Sequence, residues 1–223
     1  MGEMKQGTRT GAVMDAIQRR INSRALQPGE KLPSIRGFAA TMRVSPSTVV
    51  EAYDRLAANG TIGLEMLEDL PDLDAVLIPF GGGASTIGIG SVIKKLKPQA
   101  KVVAVEGEHA FPLSMSMAAG KPMRTLMQPS FVKSIGSVSV FDEIFQFSKH
   151  IVDDVQVVST ASIEDAIRVI SSRNKVIAEG AGAASVSAAL QDPSLKGKKI
   201  VCLISGGNID ISEYVKILQG EPA

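Results

Sequence analysis

The sequence predicts an α/β protein in which a small three-helix head precedes a larger body with a parallel β-sheet. Apolar residues recur at helical spacing over the first 60 residues, and short apolar runs alternate with helical stretches from residue 75 onward. Glycine-rich turns follow two of these runs. Such alternation is typical of three layers, with helices on both faces of the sheet. We expect a flexible N-terminus over 1–10, the head over 11–62 and a partial α/β domain over 63–223.

Each helix of the head is defined by an apolar stripe and by its ends. Pro28-Gly29 separates the first helix from the second, for which Ser34 is the expected cap. Ser45-Pro46 starts the third helix, because the hydroxyl caps it and proline has no N–H to leave unpaired. Asn59-Gly60 ends it. The stripes are Val13, Ala16, Ile17 and Ile21, then Ile35, Phe38, Ala39 and Met42, then Val49, Ala52, Tyr53 and Leu56.

The formal net charge of +1 hides an uneven distribution. Residues 1–63 contain nine Lys/Arg and five Asp/Glu, a net charge of +4, whereas the other 160 residues carry 15 basic and 18 acidic side chains, a net charge of −3. A basic head on a mildly acidic body indicates binding to a polyanion. Ordinary surface variation would explain the same numbers, and both interpretations stay open here.

Two short helices joined by a tight turn predict a helix-turn-helix, with the second helix entering the DNA major groove. Residues 26–36 (LQPGEKLPSIR) and 44–56 (VSPSTVVEAYDRL) closely resemble the GntR-type winged-helix DNA-binding domain, nearest to its MocR-like branch. The resemblance covers about residues 10–62. It implies that Arg36 contacts DNA and that Ser45, Ser47 and Thr48 occupy the contact positions of the recognition helix.

Two departures from that family weaken the expectation of tight DNA binding. Pro46 stands where the family often has arginine, which removes one ligand for phosphate or base. The family continues into a β-hairpin wing, but residues 63–70 (GLEMLEDL) are helical in pattern and acidic, so they would repel phosphate.

The body is expected to hold four parallel strands, each followed by a turn and then a helix. Ligands of such sheets bind at the carboxyl ends of strands, where both glycine-rich turns fall. The expected strands are 75–79, 101–105, 154–158 and 199–204, and the expected helices are 86–96, one starting near Ser162, 181–190 and 211–218.

The body resembles the large domain of fold type II pyridoxal-phosphate enzymes, in particular the threonine/serine dehydratases, over about residues 60–215; the related tryptophan synthase β fold has the same layers. The matching stretches are 60–65 (GTIGLE), 79–84 (PFGGGA), 105–106, 152–155, 179–184 (EGAGAA) and 203–210 (LISGGNID). The resemblance implies that pyridoxal phosphate is the cofactor. It also implies that Gly81, Gly82, Gly83 and Ala84 hold its phosphate, that Ser205 bonds its ring nitrogen, and that Glu179 lies near the ring. Gly206 is a further cofactor-binding residue by the same resemblance.

Some members of that family hold a cation, and Glu106 and the Ala110 carbonyl match two of its ligands. Pro112 stands where the third carboxylate would be, so this metal site is weakly supported. Cys202 is the only cysteine, which excludes an intrachain disulfide and a cysteine zinc cluster. We expect its side chain to be a small core hydrophobe.

The family's chemistry requires a Schiff-base lysine in a Ser-Phe-Lys-x-Arg-Gly motif upstream of the glycine-rich turn. Here the head occupies that position, and Ser130-Phe131-Val132-Lys133 follows the turn and lacks Arg-Gly, so no catalytic residue is assigned. Three hypotheses follow. The chain is a DNA-binding regulator with a cofactor-binding body, or half of a dehydratase that needs its missing half in trans. Otherwise it is an inactive recombined or engineered chimera, since the two patterns overlap at Gly60-Thr61-Ile62.

Composition bounds these hypotheses. With 44% hydrophobic and 21% charged residues, the chain is neither disordered, coiled-coil nor collagen-like. It contains no run of 18 apolar residues and its N-terminus lacks a signal-peptide core, so a cytoplasmic protein is expected. DNA and a small phosphate or amino acid are the expected partners. A truncated sheet exposes an edge and apolar surface, so we also expect either a homodimer or packing of the head onto that edge.

Overall fold

The computed structural model describes residues 9–22, 35–45, 48–49 and 61–221. In the head, α1 is Arg9–Asn22 and α2 is Ile35–Met42. Both are amphipathic, and they bury one side of each helix against Val49: the cluster comprises Val13, Ile17, Phe38, Ala39 and Val49. The stripes predicted for the first two helices are therefore confirmed at these residues. Thr48 and Val49 are helical, whereas the rest of the third helix and the expected cap Ser34 lie outside the described residues.

The body begins with α3, Thr61–Asp69, and then alternates strands and helices. Its strands are β1 Ala75–Pro79, β2 Lys101–Gly107, β3 Asp154–Val158 and β4 Ile200–Cys202. Its further helices are α4 Ala84–Leu96, α5 Pro112–Ala119, α6 Asp142–Ile151, α7 Thr160–Asn174, α8 Gly180–Gln191 and α9 Ile211–Gln219, with a 3₁₀ turn at Pro193–Leu195.

The four strands form one parallel sheet in the order β3-β2-β1-β4. Ala75 pairs with Lys101 on one side and with Ile200 on the other, which sets the register of the central strand. Since β1 is buried along its whole length, its sequence is a continuous apolar run rather than an alternating one.

Successive side chains of a strand point to opposite faces, and both faces are covered by helices. Ala75, Leu77, Val103 and Val105 pack with residues of α7, α8 and α9. Val76, Ile78 and Val102 pack on the other face with α3 and α4, and Ala104 packs there with Leu113 and Phe145 of α5 and α6. The predicted three-layer α/β body is confirmed.

Two details of the body differ from the sequence predictions, and a third confirms one. The fourth strand is shorter than 199–204: β4 covers Ile200–Cys202 at an edge of the described sheet, and the Leu203 N–H still donates to the Leu77 carbonyl oxygen at 3.0 Å. The helices α5 and α6 were not predicted. By contrast, residues 63–70 are confirmed to be helical rather than hairpin over most of their length, since α3 covers Thr61–Asp69.

Candidate cofactor site

The site lies where the connections of two neighbouring strands diverge. The helix that follows β1 covers one face of the sheet, and the helix that follows β4 covers the other. This divergence leaves a crevice at the carboxyl ends of β1 and β4, which is the usual ligand position in such sheets. The Gly81–Gly83 turn and the Ser205-Gly206 turn border this crevice.

The Gly81–Gly83 turn presents backbone rather than side chains. Gly83 has φ +87°, a left-handed conformation that favours glycine, and it caps the N-terminus of α4. Gly82 is exposed, and a Cβ added there would meet nothing within 4 Å. A Cβ on Gly81 would lie 2.9 Å from the Ser134 carbonyl oxygen. The turn is thus open at Gly82, closed on its flanks, and followed by a helix N-terminus whose N–H groups and dipole favour an anion.

Glu179 lies directly before α8 and faces the Ser205-Gly206 turn. Its backbone N–H donates to the Gly206 carbonyl oxygen at 3.0 Å, and its Oε2 accepts from the Ser134 hydroxyl at 2.9 Å. Burial raises the pKa of Glu179, and the Ser134 hydroxyl lowers it by a smaller amount. The structure thus brings together Glu179 and Gly206, two of the residues that the resemblance assigns to the cofactor.

Ser205 is exposed in the segment that follows β4. The helix α8 contacts the same segment, because the Ser185 hydroxyl donates to the Leu203 carbonyl oxygen at 2.8 Å. Burial raises the pKa of the Cys202 thiol to about 11, so the thiol stays protonated near neutral pH. This agrees with the expected role of Cys202 as a small apolar side chain in the sheet.

Ser134 is a site residue that the sequence did not reveal. It belongs to a loop without a recognisable motif, and 45 positions separate it from Glu179. Its neighbour Lys133 is exposed. Only the fold brings this loop against the glycine turn, so no pattern of spacing could have predicted it.

The two residues of the weakly supported metal site lie at the end of β2. The carboxylate of Glu106 is buried and accepts the N–H groups of Leu113 and Ser114, each at 2.8 Å. Ala110 is buried and its N–H donates to the Gly107 carbonyl oxygen at 3.0 Å. Within the described ranges, no three His, Cys, Asp or Glu side chains are grouped so that they would hold a metal ion. The metal site stays a prediction.

The DNA-contact residues of the head are partly described. Arg36 is exposed on α2. Ser45 caps the next helix, because its hydroxyl oxygen accepts the Thr48 N–H at 3.2 Å and bonds the Thr48 hydroxyl at 2.8 Å. The predicted cap is confirmed, and it engages two of the expected contact residues with each other. Ser47 lies outside the described residues.

Two family models match the chain. The model "Pyridoxal-phosphate dependent enzyme" matches residues 38–206, and the model "Bacterial regulatory proteins, gntR family" matches residues 9–66. The two matches overlap over residues 38–66. The chain therefore joins a GntR-type head to a pyridoxal-phosphate enzyme part.

Curated relatives and solved structures agree with the first of these matches. The L-threonine ammonia-lyase of Thermotoga maritima is 32% identical, over 97% of this chain and 59% of its own length. The catabolic L-threonine dehydratase TdcB of Escherichia coli K12 is 35% identical, over 73% of this chain and 50% of its own length. The chain thus spans about half the length of the curated relatives it matches.

The structural neighbours include two threonine deaminases. The T.th. enzyme has a TM-score of 0.65 and 29% identity, over 75% of this chain and 60% of that one. The processed form of isoform 2 from Solanum lycopersicum has a TM-score of 0.68 and 25% identity, over 81% of this chain and 54% of that one. In the part of the chain that the structure describes, no helix has the length and apolar character needed to cross a bilayer.

Proposed function

Because the chain belongs to the pyridoxal-phosphate dependent enzyme family, we propose that its body binds pyridoxal phosphate through the Gly81–Gly83 turn and that its head binds DNA. The observation that carries the proposal is the open backbone at Gly82, which has free space around it and precedes a helix N-terminus. A dianionic phosphate approaching there would meet N–H groups instead of side chains. The site therefore fits the cofactor's phosphate.

The other site residues would orient the cofactor ring. Gly81, Gly82, Gly83 and Ala84 would hold the phosphate, the Ser205 hydroxyl beside Gly206 would bond the ring nitrogen, and Glu179 would lie beside the ring. When bound, pyridoxal phosphate serves as an electron sink for amino-acid chemistry. A neutral hydroxyl at the ring nitrogen makes the ring a weaker sink than a carboxylate partner would.

The test of cofactor binding is an equilibrium titration with pyridoxal phosphate, followed by its fluorescence. Gly82→Asp would introduce a carboxylate into open space, and Gly82→Asn is its matched neutral control. Two like charges about 4 Å apart repel by ~1 kcal/mol even in water, so we expect at least about fivefold weaker binding of Gly82→Asp relative to Gly82→Asn. Equal affinities of the two variants would contradict the assignment of the phosphate to this turn.

We further propose that the chain alone does not catalyse ammonia release, because the segment that would carry the cofactor-linked lysine is replaced by the head. Incubation with threonine or serine and saturating pyridoxal phosphate should release no ammonia above the cofactor-only control. Borohydride treatment followed by peptide mapping should find no lysine, Lys133 included, labelled in stoichiometric amount. Stoichiometric labelling together with ammonia release would refute this part of the proposal.

A second candidate function is that of a dehydratase half that requires its complement in trans. The chain spans about half of its relatives, and β4 leaves one side of the sheet unpaired within the described residues, with Ile204 exposed beside it. Mixing the protein with a fragment that carries the missing part of a threonine dehydratase should then restore ammonia release from threonine. No release at micromolar concentrations of both would count against this alternative.

DNA binding by the head is supported by the net charge of +4 over residues 1–63 and by the exposure of Arg36. In fluorescence anisotropy with duplex DNA, affinity should fall as salt rises, because bound phosphates release counterions. Arg36→Ala should weaken binding and lower the salt slope by about one, while Arg19→Ala, exposed on α1, is the control for loss of charge alone. The third hypothesis is a recombined chimera that has neither activity. A folded protein that binds neither DNA at low salt nor pyridoxal phosphate would favour it.

A further inference from the structure

The carboxylate of Glu179 is held from two sides at the cofactor crevice. Its Oε2 accepts the Ser134 hydroxyl at 2.9 Å. Its Oε1 lies too close to Gly206 to leave room for a Cβ there, so it rests against the backbone of that glycine. The Glu179 N–H also donates to the Gly206 carbonyl oxygen at 3.0 Å. Backbone and side chain of Glu179 are thus both fixed against the Gly206 turn, and Ser134 supplies the remaining contact.

The position of Ser134 is itself fixed by two close approaches to glycines. Its carbonyl oxygen is 2.9 Å from the position of a Cβ on Gly81, and a Cβ on Gly180 would lie 2.7 Å from Val132 Cγ2. Val132 is buried, with 3% of its surface exposed. The loop therefore reaches from the glycine turn that follows β1 to the start of α8, and it places the Ser134 hydroxyl over Glu179.

We propose that Ser134 is a positioning residue that holds the Glu179 carboxylate in one orientation beside the pyridoxal ring. The relevance of this contact to the cofactor rests on the proposed function, whereas the contact itself does not. Ser134 couples the turn proposed to hold the phosphate to the carboxylate proposed to face the ring, although it belongs neither to the Gly81–Gly83 turn nor to the stretch 179–184.

Few charges surround this carboxylate. The loop 130–137 contains one charged residue, Lys133, and the segment 204–210 contains one, Asp210. Lys175 lies four residues before Glu179, and α8 contains no charged residue. Burial and the Ser134 hydroxyl are the influences that act on the pKa of Glu179. Because a hydroxyl that donates to the charged form stabilises that form, its removal should raise the pKa.

The test is a ¹³C NMR titration of the glutamate side-chain carboxyls in the protein without ligand, with the Glu179 signal assigned by Glu179→Gln. Ser134→Ala should raise the titration midpoint of Glu179 by about 0.5 to 1 pH unit, the equivalent of one net hydrogen bond. Ser134→Thr, which keeps a hydroxyl, should restore most of the native midpoint. Ser137→Ala is the matched control, since the Ser137 hydroxyl donates to the Ser139 carbonyl oxygen instead.

The outcomes separate this inference from the proposed function. An unchanged midpoint in folded Ser134→Ala, or the same shift in Ser137→Ala, would overturn the positioning role. A shifted midpoint in a protein that binds no pyridoxal phosphate would support the role of Ser134 and refute cofactor binding. If both hold, Ser134→Ala should shift the pH midpoint of the bound cofactor's fluorescence in the same direction as the Glu179 signal.

Discussion

Glu106 is a buried carboxylate whose pKa, among the described residues, is set by burial and by backbone hydrogen bonds rather than by a basic side chain. It lies on β2, and its two oxygens accept the first free N–H groups of α5. Burial raises the pKa of Glu106 to about 7, against the opposing effect of these two hydrogen bonds. The native state therefore retains a proton that the unfolded chain releases near its ordinary value of 4.5.

This proton makes stability depend on pH. Because the native state binds more protons than the unfolded state, the free energy of unfolding should fall as pH rises from about 4.5 to about 7. Urea unfolding measures the free energy of unfolding at pH 5 and at pH 8. The loss of this free energy between the two pH values should be larger in the wild type than in Glu106→Gln, by on the order of 1–3 kcal/mol. Glu108→Gln, at an exposed carboxylate two residues away, is the control. The same pH dependence in Glu106→Gln and the wild type would contradict this account.

Gly206 is the second residue whose identity the structure explains. A Cβ there would clash with Glu179 Oε1, which is the far end of a flexible side chain, so the carboxylate can swing away and Gly206→Ala should destabilise the fold by only about 1 kcal/mol, the low end of what overpacking costs. The same substitution should cost much less in a Glu179→Ala background, because that oxygen is gone. Urea unfolding of the wild type, the two single variants and the double variant gives the coupling energy between Gly206 and Glu179 directly. An equal cost in both backgrounds would show that the contact is not the cause.

At the scale of elements, the sequence predicts what local pattern determines. β1 and β3 have the predicted bounds, because a short segment rich in apolar or β-branched residues between polar turns indicates a strand locally. The helix α5, with Ser114 and Ser116 between its apolar residues, has no clear apolar stripe and was missed. The bounds of β4 depend on its pairing with β1, which the sequence does not show.

The same distinction applies to the candidate site. The glycine turns were predicted because glycine reports a backbone conformation or a close approach locally. Ser134 was not predicted, because its contact with Glu179 arises from the packing of a loop between distant segments.

The helix α3 shows how a glycine links two elements at the start of the body. A Cβ on Gly63 would lie 3.0 Å from Val92 Cβ and 3.1 Å from the Ile89 carbonyl oxygen, so α3 packs closely on α4 there. Gly63→Val should therefore lower stability by about 1–3 kcal/mol in urea unfolding. Leu64→Val, at an exposed position of the same helix, controls for the helix propensity of valine. Equal losses from both variants would argue against close packing at Gly63.

At the scale of the whole molecule, two patterns meet in α3. The two family matches overlap over residues 38–66, and Ile62, Met66 and Leu67 pack against the apolar cluster of the body. A helix therefore stands where a GntR-type wing is expected, and its apolar side contacts the sheet domain. The proposed junction near residue 62, the homodimer and the cytoplasmic location stay predictions. A mass measurement in solution tests the homodimer, for which a monomer at all accessible concentrations would be the contradicting result.

The central claim is that this body holds the phosphate of pyridoxal phosphate at the Gly81–Gly83 turn. The most direct measurement is ³¹P NMR of pyridoxal phosphate titrated with the full chain. We predict a shifted and broadened phosphate resonance that saturates with protein, and that saturation requires at least about fivefold more protein for Gly82→Asp than for Gly82→Asn. A resonance that stays at the free position with the folded wild-type protein, or that shifts equally with both variants, would contradict the claim.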